Sequence, residues 1–253
     1  MKNILKTCFF LIIIIFSTEK SYSEETIRLT SGEWAPYLSE KLKHNGIVGR
    51  ILKEAFALEG IEVKISFFPW KRAYSEAKKG KYDGTAVWLK KTEREKAFYF
   101  SEPVIEEQHV FFHLKSYPFK WNAFEDLENH RVGGLLGFSY GPTFDAVIKS
   151  GEVKMRRVAT DIQAFEMLLK ERIQVYPQEL NVGYDALYRN FLIGETQLIT
   201  HHPKPFHVDF SYLLLSKKIE RNKHLIKIFN KNFKRLKESG DIDQYFKEAR
   251  QGK

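Results

Sequence analysis

Cysteine is almost missing from this chain of 253 residues, and the one example, Cys8, falls in the apolar run CFFLIIIIF close to the start. Lys2 and Lys6 precede that run, and the polar stretch STEKSYS follows it. The run is too short to span a bilayer with ease. A basic start, an apolar middle and a small-x-small end (Ser21-Tyr22-Ser23) together predict a secretory signal peptide over residues 1–23, cut near Ser23. Lys6 and Thr7 do not form the small-residue box that precedes a lipid-modified cysteine. The mature chain is then expected to hold no cysteine, which excludes disulfides, thiol catalysis and thiolate metal sites. No later run is long and apolar enough to cross a membrane, so an exported, soluble protein is expected.

Other signatures are missing too. The sequence contains no phosphate-binding loop and no dinucleotide fingerprint. His201, His202 and His207 cluster in HHPKPFH, but they lack the helical i, i+4 spacing of a zinc site, and the prolines predict a loop. No metal and no cofactor are expected. There is no internal repeat and no low-complexity linker. Negative charge is in deficit, with 41 Lys and Arg against 32 Asp and Glu. Loss of the leader removes three lysines and one glutamate, lowering the net charge by two from +9. The basic residues are scattered, and the densest run, KKIERNKHLIKIFNKNFKRLKESG, places Leu225, Ile226, Phe229, Phe233 and Leu236 on one helical stripe. Its lysines are then a solvated face, and nucleic acid is not an expected partner.

What is present alternates. TIRLTSG predicts a strand, and IVGRILKEAFALEG a helix ending near Gly60. IEVKISF alternates strictly, as a half-buried strand does. Pro69 opens a helix over WKRAYSEAKKG, and YDGTAVW is a third strand. This β-α-β-α-β order implies a parallel sheet with crossover helices. A second α/β unit follows, with strands at QHVFFHL, RVGGLLG and IQVY and helices at NAFEDLENH (capped by Asn122), YGPTFDAVIKSG and DIQAFEMLLKE. FSYLLLS predicts a further strand, and two helices finish the chain. Two lobes of around a hundred residues, joined by crossings near 104–108 and 205–209, fit this order.

The block from GKYDG to TEREKAFYFSEPV carries the most specific signal: Gly80, Lys81, Asp83, Thr92, Glu93, Arg94, Phe100, Ser101 and Pro103. In these residues the chain resembles the bacterial periplasmic solute-binding proteins of the polar-amino-acid type, the substrate-binding proteins (family 3) of ABC transporters. The resemblance runs over essentially all of the mature chain. It implies an α/β, two-lobed, type II periplasmic-binding-protein fold, each lobe a mixed sheet flanked by helices, with two hinge crossings. Lobe 1 would take residues 24–107 plus 208–253, and lobe 2 residues 108–207. Two departures stand out: Val104 replaces the family's usual aromatic, and TAVWLKK is bulkier and more basic than the small Gly/Thr segment found there.

The resemblance assigns Arg94 to the ligand's carboxylate. Independently, a guanidinium offers two parallel hydrogen bonds to a carboxylate and stays charged at any working pH. The alternative is a surface arginine paired with Glu93 or Glu95, worth roughly 0–1 kcal/mol. By position Trp34, Trp70 and Trp88 are candidate aromatic walls, with Glu33 and Tyr37 nearby, since sites in open α/β sheets lie beyond the carboxyl ends of strands. In GFSYG, Ser139 and Tyr140 precede a helix, and they either bind an anion there or cap the helix. Glu179 stands about where the family grips an ammonium; its alternative is a solvated acid at a helix start. The expected function is an extracytoplasmic, periplasmic protein that closes on a small carboxylate-bearing ligand for ABC-type uptake, as a monomer that docks on a membrane permease. The alternatives are a sensory ligand-presenting protein and a dehydratase of cyclic acids on the same fold. No pattern marks a carboxylate with a shifted pKa, so no enzyme is expected.

Overall fold

The computed structural model describes residues 25–250. Cys8 and the expected signal peptide therefore lie outside the described residues. The first unit holds β1 (Glu25–Ser31), α1 (Gly46–Ala57), β2 (Ile61–Phe67), α2 (Trp70–Lys78) and β3 (Gly84–Leu89). β1 pairs in parallel with both β2 and β3, the arrangement that crossover helices require. A short helix, α3 (Thr92–Glu95), leads into β4 (Phe98–Leu114). The second unit comprises β5 (Val132–Leu135), α4 (Pro142–Ser150), β6 (Met155–Val158), α5 (Asp161–Leu169), β7 (Tyr176–Glu179), α6 (Leu180–Asn190), α7 (Ile193–Thr196) and β8 (Ile199–His201). The chain returns along β9 (His207–Ser216) and ends in α8 (Asn222–Glu238) and α9 (Asp241–Arg250).

One sheet runs in the order β2-β1-β3-β9-β4-β7, with β8 also paired to β4, while β5 and β6 form a parallel pair. The antiparallel strands β4 and β9 join the two units. They pair from Phe98 and Ser216 to His109 and His207, after which β4 continues against β7 and β8. Separate cores lie on either side. Ile51, Leu52, Phe56, Leu225, Phe229 and Phe233 bury the inner faces of α1 and α8. Phe112, Phe165, Leu168 and Leu187 form a core of the second unit, and Phe111, Trp121, Tyr140 and Phe144 form another. Each fully buried Phe or Leu contributes about 1.5–3 kcal/mol relative to exposure.

The structure corrects several sequence expectations. β4 is one strand of 17 residues rather than an apolar run followed by a new strand after Pro103. Pro103 cannot donate to the ladder, and the register slips on both sides of it without ending the strand. Asn122 does not cap the following turn with its side chain; instead Asp126 reaches back and accepts from the backbone N–H of Asn122 at 2.7 Å and of Ala123 at 3.1 Å. The strand expected at residues 173–176 begins only at Tyr176 and runs through Pro177 to Glu179, at one end of the sheet path, where a proline is tolerated.

Candidate functional site

The site is built outward from the end of β3. Pairing with β9 is regular at Thr85 but shifts before Trp88, and Val87 between them sits at φ 31°, a left-handed value that a β-branched residue rarely adopts. The irregularity turns Trp88 so that its indole N–H donates to the Thr85 hydroxyl at 2.9 Å. Thr85 in turn donates to the Thr30 carbonyl at 3.1 Å, fixing the end of β1. Trp88 meets Trp70 and Tyr74 edge to face, each at 5.2 Å between ring centroids. Trp70, the first residue of α2, lies over Gly32, where an added Cβ would come within 2.3 Å of the indole. Only glycine permits that approach.

Arg94 completes this cluster. Its guanidinium lies 4.8 Å from the Trp88 ring and 5.7 Å from Tyr74, with one nitrogen on the Leu89 carbonyl at 2.5 Å. It is half-buried, and it pairs with neither sequence neighbour: Glu93 is exposed and Glu95 holds Lys90 at 3.1 Å. Among the described residues no carboxylate lies within ion-pair distance of Arg94. A guanidinium carries five N–H donors, so most of its capacity faces away from the protein's own acceptors.

The loop after β1 holds Glu33, Trp34 and Tyr37. Trp34 and Leu38 exchange both backbone hydrogen bonds, at 2.7 and 2.8 Å, closing a tight turn. Trp34 is half-buried against Tyr37, 4.5 Å between centroids. Glu33 is exposed and accepts from the Glu40 backbone at 3.0 Å. Glu33, Glu40, Phe67, Phe68 and Trp70 line an open concavity of about 380 Å³. Tyr37 is fully buried and turns away from it, donating to Glu179 Oε1 at 2.8 Å.

Glu179 is 2% exposed, so it is not a solvated acid. It caps α6 by accepting from the Val182 N–H at 2.8 Å, and Asn181 Nδ2 approaches it at 3.4 Å and the Tyr37 hydroxyl at 2.7 Å. Burial pushes its carboxyl up to about 7, against the opposing pull of these donors. Ser139 and Tyr140 stand ahead of α4, as expected, but their polar groups are engaged within the protein. Asp145 takes the Ser139 hydroxyl and the Tyr140 N–H, and the buried Tyr140 hydroxyl accepts from the Leu135 N–H at 2.7 Å. A carboxylate already sits where an anion would bind.

The structure thus brings Trp70, Trp88 and Arg94 into one cluster and joins Tyr37 to Glu179. Glu33 and Trp34 lie on the loop between these groups, and Ser139 and Tyr140 stand on the second unit. Sequence reasoning missed Tyr74, which follows Trp70 by one helical turn, and Asn181, two residues beyond Glu179. The i, i+4 spacing could have found the first. Among the described residues no group of three or more His, Cys, Asp or Glu is placed to hold a metal ion, and no helix is long and apolar enough to cross a membrane.

No match is found among curated protein sequences. Solved structures similar to this chain include substrate-binding domain 2 of GlnP from Lactococcus lactis in an open conformation, 16% identical over 89% of this chain and 95% of that one, with a TM-score of 0.72. The L-cystine solute receptor of Neisseria gonorrhoeae, unliganded and open, is 18% identical over 88% and 94%, at 0.70. AbpA, an amino acid ABC transporter substrate-binding protein from Streptococcus pneumoniae bound to L-arginine, is 19% identical over 90% and 96%, at 0.59. The fold is accordingly the two-lobed type II periplasmic-binding-protein fold. A family model matches residues 28–249, nearly the whole described chain, and the protein belongs to the bacterial extracellular solute-binding proteins, family 3.

Proposed function

We propose that this family member closes its two lobes on a small carboxylate-bearing solute, an amino acid or a related compound, and delivers it to an ABC-type permease. The observation that carries this is Arg94: a half-buried guanidinium, held by two aromatic rings and one carbonyl, flanked by glutamates yet paired with none. Trp70, Trp88 and Trp34 would wall the ligand, with Glu33 at the rim and Glu179 and Tyr37 at the lobe boundary. Lobe 1 is residues 24–107 plus 208–253 and lobe 2 is residues 108–207, with residues 1–23 removed on export to the periplasm. The solutes named for the similar proteins, L-arginine and L-cystine, both carry an α-carboxylate, which supports this class of ligand.

A thermal-shift screen of amino acids, small carboxylates and short peptides tests this directly. A ligand at 100 times its Kd adds about 2.7 kcal/mol of stability. Arg94→Ala is expected to remove the shift, since truncating a desolvated charged partner costs roughly 2–5 kcal/mol of binding, and to leave the ligand-free protein folded. An undiminished shift in that variant refutes the assignment.

One observation favours a second activity. A buried carboxyl raised to about 7, as in Glu179, has the proton affinity of a general acid. Both of its oxygens are engaged by Tyr37, Asn181 and the Val182 N–H, which favours binding over turnover. Conversion of a cyclic acid by the purified protein, lost in Glu179→Gln, would establish the dehydratase.

A further inference from the structure

Tyr37 and Glu179 are 142 positions apart and belong to different units of the fold, yet they share a buried hydrogen bond of 2.8 Å. Asn181 donates to the same hydroxyl at 2.7 Å. Val182, next on α6, packs against the core of the first unit, and Phe246 of α9 meets Tyr37 edge to face at 6.2 Å. The first turn of α6 is therefore a third point of attachment between the lobes, besides β4 and β9. A carboxyl group stands at its centre, and no lysine or arginine pairs with it among the described residues.

We propose that Tyr37, Glu179 and Asn181 form a proton-dependent latch that holds the two lobes together when Glu179 is protonated and loosens when it ionises. The Tyr37, Asn181 and Val182 donors favour the charge, but burial outweighs them. From the loop after β1 Tyr37 faces it, and α9 offers the apolar Phe246 beside Tyr37. From β4 comes Glu107, itself buried and bonded to the Ser211 hydroxyl, and its negative charge raises Glu179 further. Behind Glu107 on β9 stand Asp209 and its partner His207, 2.7 Å apart. Ionised Glu179 would thus add its charge to that of a second buried carboxyl.

The linkage has a definite sign. A carboxyl whose pKa is raised in the latched state binds its proton more tightly there, so the latched population is favoured at low pH and lost as pH rises through about 7. The latch rests on the two-lobed fold and not on Arg94 or any ligand.

Single cysteines at the exposed positions Lys71 and Lys149, one in each lobe, would carry a donor and an acceptor dye on the mature chain without solute. Energy transfer should be high at pH 5.5, fall as pH rises through about 7, and recover on return to acid. Glu179→Gln should hold the high value across the range. Tyr37→Phe, which keeps the ring and removes the donor, should lower transfer at pH 5.5. Transfer that stays flat from pH 5.5 to 8.5 in the parent overturns the latch, and so does an unchanged pH response in Glu179→Gln. If that variant does not fold, unaltered transfer in Tyr37→Phe at pH 5.5 overturns it instead. A solute-induced thermal shift that needs Arg94 would survive any of these results.

Discussion

His109 shows how far a single buried side chain can bend the stability of this protein. It faces His207 directly across β4 and β9, 5.5 Å between ring centroids, and its Nδ1 is buried without a hydrogen-bond partner. Burial first, and the neighbouring His207 second, lower its pKa to about 4. Above the ordinary histidine value of 6.5 both the folded and unfolded chains hold it neutral. Between 6.5 and 4 the unfolded chain takes up a proton that the folded one refuses, so stability falls with acid at roughly 1.4 kcal/mol per pH unit. Glu179 acts the other way: its raised pKa removes stability as pH climbs from the ordinary carboxylate range through about 7. His109→Phe keeps the ring and deletes the proton site. Its stability relative to the parent is expected to grow as pH falls from 6.5 to 4, approaching about 3 kcal/mol. Paired urea titrations at pH 7 and pH 4.5 check this, and a constant difference would locate the acid sensitivity elsewhere. The titration of neither group was legible in the sequence, where His109 follows Gln108 at the start of an apolar run and Glu179 reads only as a candidate partner for an ammonium. Burial decides their chemistry, and burial depends on which strand lies opposite. Arg94 was legible because local sequence supplies its setting: the short α3 turn, the carbonyl of Leu89 and the ring of Trp88 all lie within six residues of it.

Elements were readable where one period governed them and obscure where two demands met. β2 alternates along all seven residues, and Ile61, Val63, Ile65 and Phe67 all pack on one core. β4 serves both lobes, so its buried face changes along its length, and Pro103 sits inside it. α6 starts without a Ser, Thr or Asp cap, because buried Glu179 does that work and also crosses to Tyr37. Its packing is equally hidden. Gly183 lies against β4, and an added Cβ would stand 2.4 Å from the Phe112 ring, which is itself wedged between Phe165 and Tyr184. Alanine in mid-helix is ordinarily better than glycine by about 1 kcal/mol. Here the ring cannot retreat, and overpacking of this kind costs about 1–3 kcal/mol. Gly183→Ala is therefore expected to destabilise the protein by a net of up to about 2 kcal/mol. A lowered urea midpoint with an unchanged m value would show it; a raised midpoint would mean that α6 slides freely on β4.

The whole molecule is laid out so that its first lobe cannot be completed until the chain has returned. α8 and α9 supply Leu225, Ile226, Phe229, Phe233, Leu236, Ile242 and Tyr245 to the same core as β1 and α1. Asp83 ties these distant segments together from a nearly buried position. It accepts the Arg28 N–H of β1 at 2.7 Å, pairs with Arg221 at 2.7 Å, and its carbonyl takes the Asn222 amide at 2.7 Å. Asn222 also holds the Ser216 carbonyl, at 2.8 Å, so the entry to α8 is fixed to the end of β9. Because Arg221 is itself partly exposed, its ion pair contributes modestly. The larger stake is the Arg28 N–H and the alignment of three segments, since a buried donor left without its partner costs about 1–3 kcal/mol. Asp83→Ala should lower stability by roughly 2–4 kcal/mol. The loss should also be regional. Amide exchange is expected to accelerate in β1, β3 and α8 together, while β5, β6 and α5 in the second lobe keep their protection, because the lobes have separate cores joined through β4, β9 and α6. Uniform acceleration across both lobes would instead show that the protein opens as one cooperative unit and that the tie at Asp83 holds the entire fold.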